Sequence, residues 1–141
     1  MSPQSIKNKI EQLAAFLSDL QKLENISFEE FQQHRHYEVE RLLELLVIYA
    51  SDILLNIFSQ RNEEIPTTLR TTFLRAGEVG ILPADLAKRL ADAAGMRNLL
   101  VHAYAKVNLR IIYDSIRPAL QDFSSFLAII SEMNDLIKSN H

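Results

Sequence analysis

An all-α fold, an up-and-down bundle of four to five helices, follows from three features of the sequence. Gly and Pro are scarce, with 3 and 4 residues in 141, which disfavours a turn-rich β fold and favours long helices. Apolar residues recur at alternating spacings of three and four along most of the chain, the period of an amphipathic helix. No segment shows the period-2 alternation of a half-buried strand, and there is no internal repeat or low-complexity stretch. With 48% apolar residues the chain can bury a core, and residues 1–141 are expected to form one domain.

The first helix is predicted over residues 4–24, where Ile6, Ile10, Leu13, Leu17 and Leu20 form one stripe. Ser27-Phe28-Glu29-Glu30 then reads as a capping box, with Ser27 as N-cap and Glu30 three residues on. The second helical stretch starts near Phe28, has a possible break at His34-Arg35-His36, and runs to about Ser59. Its stripe of Val39, Leu43, Leu46, Ala50, Ile53 and Ile57 is widened by Leu42, Leu45, Ile48 and Leu54. A helix apolar on more than one side is central in its bundle.

Pro66 closes this helix after Arg61–Ile65. A short helix over Thr67–Ala76 is expected to stop at Gly77. Pro83 suits the first turn of the next, which carries Leu86, Leu90 and Ala93. Asn108 is the expected N-cap of a last helix over about 109–137, kinked at Pro118.

Composition excludes several functions. Without Cys there are no disulfides, no thiolate catalysis and no Cys-based zinc site. The first 20 residues carry Lys7, Lys9, Glu11 and Asp19, so no secretory signal is expected. Apolar runs on either side of Asp52 fall short of a membrane span. These features fit a cytoplasmic protein. Net charge is −3, against a general nucleic-acid coat. Residues 83–118 nevertheless carry six basic and three acidic groups, net +3, between segments of net −4 and −2. That is either chance variation of solvated faces or a local field that draws a polyanion.

The basic segment holds the densest chemistry in the chain: Arg97-Asn98-Leu99-Leu100-Val101-His102-Ala103-Tyr104. Arg97 offers a bidentate phosphate clamp, Asn98 an amide, His102 a group titrating near neutral pH, and Tyr104 a phenol. On a straight helix Leu86, Leu90, Ala93, Arg97 and Tyr104 fall within roughly 40° of one another. His102 falls about 140° from Arg97 and shares a face with Asn98 instead. Two resolutions are open. The helix ends near His102 and the following turn swings the imidazole round, or the site is built across a two-fold axis from two copies. Gly95 also allows a local irregularity. Elsewhere, His34 and His36 are expected at the surface, since their spacing of two puts them on different helix faces. Asp52 is expected to face solvent rather than to partner a basic side chain near the site.

The pattern Arg97, four residues, His102, one residue, Tyr104 resembles the R-x4-H-x-Y signature of HEPN domains, in particular the minimal HepT-like toxins of HEPN/MNT toxin–antitoxin pairs. The flanking Ala76–Leu82 and Met96–His102 segments resemble that family too, as does the polar Asn98 directly after the arginine. The resemblance implies a HEPN-like homodimer with the two motifs facing each other. It implies the toxin of a type II/VII-like pair: a metal-independent endoribonuclease, with no cofactor, that cleaves transfer or messenger RNA. Arg97 and His102 would be catalytic, and Asn98 and Tyr104 supporting or RNA-binding. It also implies a nucleotidyltransferase antitoxin that transfers AMP to Tyr104. The alternative is a non-catalytic HEPN adaptor or antitoxin-like binding module beside a nucleotidyltransferase.

Overall fold

The computed structural model describes residues 3–102 and 108–139, with side chains described within 5–97 and 108–136. All regular structure among the described residues is helical. Helix α1 spans Pro3–Gln21, and the one-turn α2 (Phe28–Glu30) passes through a π-helical turn (Phe31–Arg35) into α3 (His36–Gln60). Then follow α4 (Leu69–Glu78), α5 (Ala84–His102) and α6 (Leu109–Ser139). Helix α3 is the axis: α1, α4, α5 and α6 all pack against it, while α1 also packs on α6 and α4 on α5. The two-sided apolar pattern of α3 is therefore what its central place demands. Leu42, Leu43, Leu46, Val47, Ala50, Ile53, Leu54 and Ile57 are all buried. By length and hydropathy this helical stretch could cross a bilayer, but 56% of its most apolar window is buried inside the protein. It is a core helix here.

The helix ends follow local chemistry. Ser27 Oγ accepts the Glu30 N–H at 3.0 Å, as the capping-box reading requires, although the Glu30 carboxylate turns to Arg35, 3.8 Å away. Asn108 Oδ1 accepts the Arg110 N–H at 3.0 Å and caps α6 as expected. The expected break at His34–His36 is the π-helical turn, where Phe31 is fully buried. Helix α6 continues through Pro118 to Ser139.

One helix end departs from expectation. The fourth helix does not stop at Gly77 but runs to Glu78. Gly80, with φ +82°, is the left-handed residue. The Ile81 N–H donates to Ala76 O (2.9 Å) and the Gly80 N–H to Gly77 O (3.3 Å), both bonds of a Schellman cap. Asn62, at φ 56°, closes α3 in the same way, with the Glu63 N–H donating to Phe58 O at 2.9 Å. Gly77 serves packing instead: a Cβ there would lie 2.7 Å from the Ala87 Cβ. Gly95, in turn, introduces no irregularity, for α5 stays helical through it.

Candidate active site

Helix α5 presents its middle turns, from Arg89 to Arg97, to a cavity of about 440 Å³ between α3, α5 and α6. Leu43 and Val47 of α3, Ala93 and Met96 of α5, and Ile111, Pro118, Ala119 and Phe123 of α6 make an apolar wall. Arg97 stands on that wall with Arg89, Asp92, Asp114, Ser115 and Asp122. Across the α5–α6 seam, Ser115 Oγ lies 3.2 Å from Met96 Sδ. The Arg89 Nε–H donates to Asp122 Oδ1 at 3.0 Å. That hydrogen bond, more than any other influence, holds the Arg89 guanidinium further into its charged form.

Arg97 is the one motif residue whose side chain lies within the described set, and it is three-quarters buried. Its Nη2 lies 3.5 Å from Glu44 Oε1 on α3. Its Nε is buried without a hydrogen-bond partner among the described residues. A cation in this position has little water to compete for it, so an arriving phosphate oxygen would gain a charge-assisted hydrogen bond that bulk solvent would weaken. Sequence reasoning missed Glu44. The signal was there, a carboxylate inside the apolar run Leu42–Val47 of the helix expected to be central.

Helix α5 keeps its backbone regular through His102, so the helical register sets His102 about 140° round from Arg97. The side chains of Asn98 and His102, and all of Tyr104, lie outside the described residues.

Among the described residues, the arginines of the net +3 segment 83–118 are paired with carboxylates rather than left as an open basic patch. Arg89 pairs with Asp85 and Asp122, Arg97 with Glu44, and Arg110 with Asp114, while Arg117 lies 4.0 Å from Glu24. Asp92 on the cavity rim is taken by Arg70 at 2.9 Å. Asp52 faces solvent as expected and pairs with Lys9 of α1, away from the site. His34 is exposed, but His36 is not the surface residue expected. It is four-fifths buried, with Nδ1 3.0 Å from Glu40 Oε2 and its ring edge-on to Phe31.

A helical bundle whose R-x4-H-x-Y sequence begins in α5, with its arginine on a cavity wall, is of the HEPN class. The chain belongs to the ribonuclease HepT-like family, whose sequence pattern matches residues 6–130. A tRNA nuclease HepT from Aphanizomenon flos-aquae is 31% identical over 144 residues, spanning 96% of this chain and 98% of the relative. An mRNA nuclease HepT from Shewanella oneidensis is 30% identical over 79 residues, 56% of this chain and 59% of the relative. Among solved structures, a tri-AMPylated Shewanella oneidensis HEPN toxin in complex with an MNT antitoxin superposes with a TM-score of 0.82. That match is 26% identical and covers 90% of this chain and 96% of the toxin.

Proposed function

We propose that this protein is the toxin of a HEPN/MNT toxin–antitoxin pair: an endoribonuclease that needs no metal and is silenced by adenylylation of Tyr104. The observation that carries the reading is Arg97, a mostly buried guanidinium on a cavity wall, followed five residues on along the same helix by His102. The names of the relatives, nucleases of tRNA and mRNA and an AMPylated toxin bound to its antitoxin, support it.

RNA carries its own nucleophile in the 2′-OH. His102 takes the 2′-OH proton as that oxygen attacks the adjacent phosphorus, the general-base chemistry to which an imidazole is suited. The bond from phosphorus to the 5′-oxygen breaks, and a proton delivered to that oxygen completes the step. The products are a 2′,3′-cyclic phosphate and a 5′-OH end. Arg97 binds the phosphate and stabilises the charge gathered in the transition state. Asn98 orients the phosphate or the imidazole, and Tyr104 contacts the RNA. The angle of about 140° between Arg97 and His102 favours a site completed by a second copy, with the arginine of one chain and the histidine of its mate on the same phosphate.

The test is cleavage of transfer and messenger RNA in EDTA by the wild type, Arg97→Ala and His102→Ala. The wild type should cleave, and both variants should lose at least a hundredfold in rate while remaining folded. A folded His102→Ala variant with full activity would sink the catalytic assignment.

A further inference from the structure

The Glu44 carboxylate holds two arginines, one on each oxygen. Oε1 lies 3.5 Å from Arg97 Nη2, and Oε2 accepts from Arg41 Nη1 at 3.3 Å. The two contacts differ in setting. Arg41 is 63% exposed, whereas Glu44 and Arg97 are each only 24% exposed. Arg97 lines the cavity and Glu44 does not, so the carboxylate grips the guanidinium from outside the space a substrate would enter.

We propose that Glu44 is the positioning residue of the site: it fixes the Arg97 guanidinium on the cavity wall before RNA arrives. This inference rests on the nuclease reading of Arg97. An arginine has a long side chain with many rotamers, and a ligand that must immobilise it gives up part of its binding energy to do so. A carboxylate already holding one end of the fork removes that loss. It leaves the guanidinium aimed where charge develops, the arrangement that accelerates a reaction rather than merely binding its substrate. Arg41, bound to the second oxygen, balances the carboxylate, so the trio carries net positive charge toward an incoming phosphate. The arrangement is specific to α3 meeting α5 at this level. Leu43 and Val47, on either side of Glu44 in sequence, line the same cavity, so the packing that forms the cavity also sets the reach of the carboxylate.

The experiment measures RNA cleavage by the wild type, Glu44→Gln, Arg97→Lys and the double variant, with melting temperatures for each. Glu44→Gln keeps the side-chain volume and removes the charge. It should lower kcat at least tenfold with KM unchanged or reduced, because deleting a negative charge favours RNA binding even as it frees Arg97. In the double variant the losses should not multiply: Glu44→Gln should change the rate of Arg97→Lys by less than threefold, as expected of a residue acting through Arg97. A purely structural role for Glu44 predicts the opposite, independent losses that multiply. Multiplying losses, or an unchanged or raised kcat in Glu44→Gln, would overturn the proposal. A wild type that does not cleave RNA would instead overturn the nuclease reading, and this inference with it.

Discussion

Gly77 of α4 and Ala87 of α5 pack so closely that a Cβ added to the glycine would lie 2.7 Å from the Ala87 Cβ. This approach sets how α4 lies along the N-terminal half of α5, the helix whose other end carries Arg97. Helix propensity alone would make Gly77→Ala stabilising by about 0.5–1 kcal/mol. The contact reverses the sign, because two helices must separate to admit one methyl, and overpacking of this kind costs about 1–3 kcal/mol. Gly77→Ala should therefore lower the melting temperature. Gly95→Ala, where an added Cβ meets nothing within 4 Å, should raise it, and thermal melts of the two variants side by side check the pair.

The start of α6 is fastened by Tyr113. Its hydroxyl donates to Ile26 O at 2.7 Å, and its ring packs against Phe28 and Phe31 at centroid distances of 5.4 Å. Arg110 lies over the rings of Phe28 and Tyr113. Tyr113→Phe keeps the ring cluster and leaves the Ile26 carbonyl short of a donor. It should cost about 1 kcal/mol, a drop in melting temperature of roughly 3 °C for a chain of this size. An unchanged melting temperature would mean that water replaces the hydroxyl without loss.

Helix existence and order were legible in the sequence because burial imposes its period directly, and α3 is the plainest case. Its stripe was wide because four other helices surround it. The two N-caps read from Ser27 and Asn108 formed because a side-chain oxygen two or three residues ahead of an N–H is a purely local matter. The end of α4 was misread because two glycines, Gly77 and Gly80, compete for the role of stop signal. Only a tertiary contact, with Ala87, shows that the first is there for space. Glu44 stayed hidden for a related reason. Its partner Arg97 is distant in sequence, on another helix, and no periodicity within α3 reports what α5 brings to it. The same holds for the basic segment, whose arginines find carboxylates on their own and on neighbouring helices.

Acid should weaken the start of α5 through Asp85. Its carboxylate accepts from Arg89 Nη1 at 3.3 Å and from the Leu86 backbone N–H, and these hydrogen bonds hold its pKa below the ordinary value. A carboxyl depressed in the folded state contributes stability that is present above its unfolded pKa of about 3.9. That contribution is lost as the pH falls through the lower, folded value. Asp85→Asn should thus melt slightly below the wild type at pH 7, the difference kept small by its exposure. The gap should close below about pH 4. A gap independent of pH would assign the effect to the asparagine itself.

Adenylylation of Tyr104 should act on Arg97. The proposed modification adds a phosphodiester anion and a nucleoside seven residues beyond the arginine, and a phosphate within reach of that guanidinium competes for the same hydrogen bonds that RNA phosphate needs. Tyr104→Phe should fold, keep the ability to cleave RNA within about tenfold of the wild type, and gain no AMP mass when incubated with the antitoxin and ATP. Wild-type protein treated in the same way should gain one or more AMP units and lose cleavage. Arg97→Lys separates competition at the arginine from simple blocking of the groove. If the added phosphate works by occupying Arg97, the modified wild type should bind a non-cleavable RNA no more tightly than unmodified Arg97→Lys does. Mass spectrometry that finds AMP on Tyr104→Phe would move the acceptor elsewhere, and modified wild-type protein that still cleaves at full rate would end the switch reading.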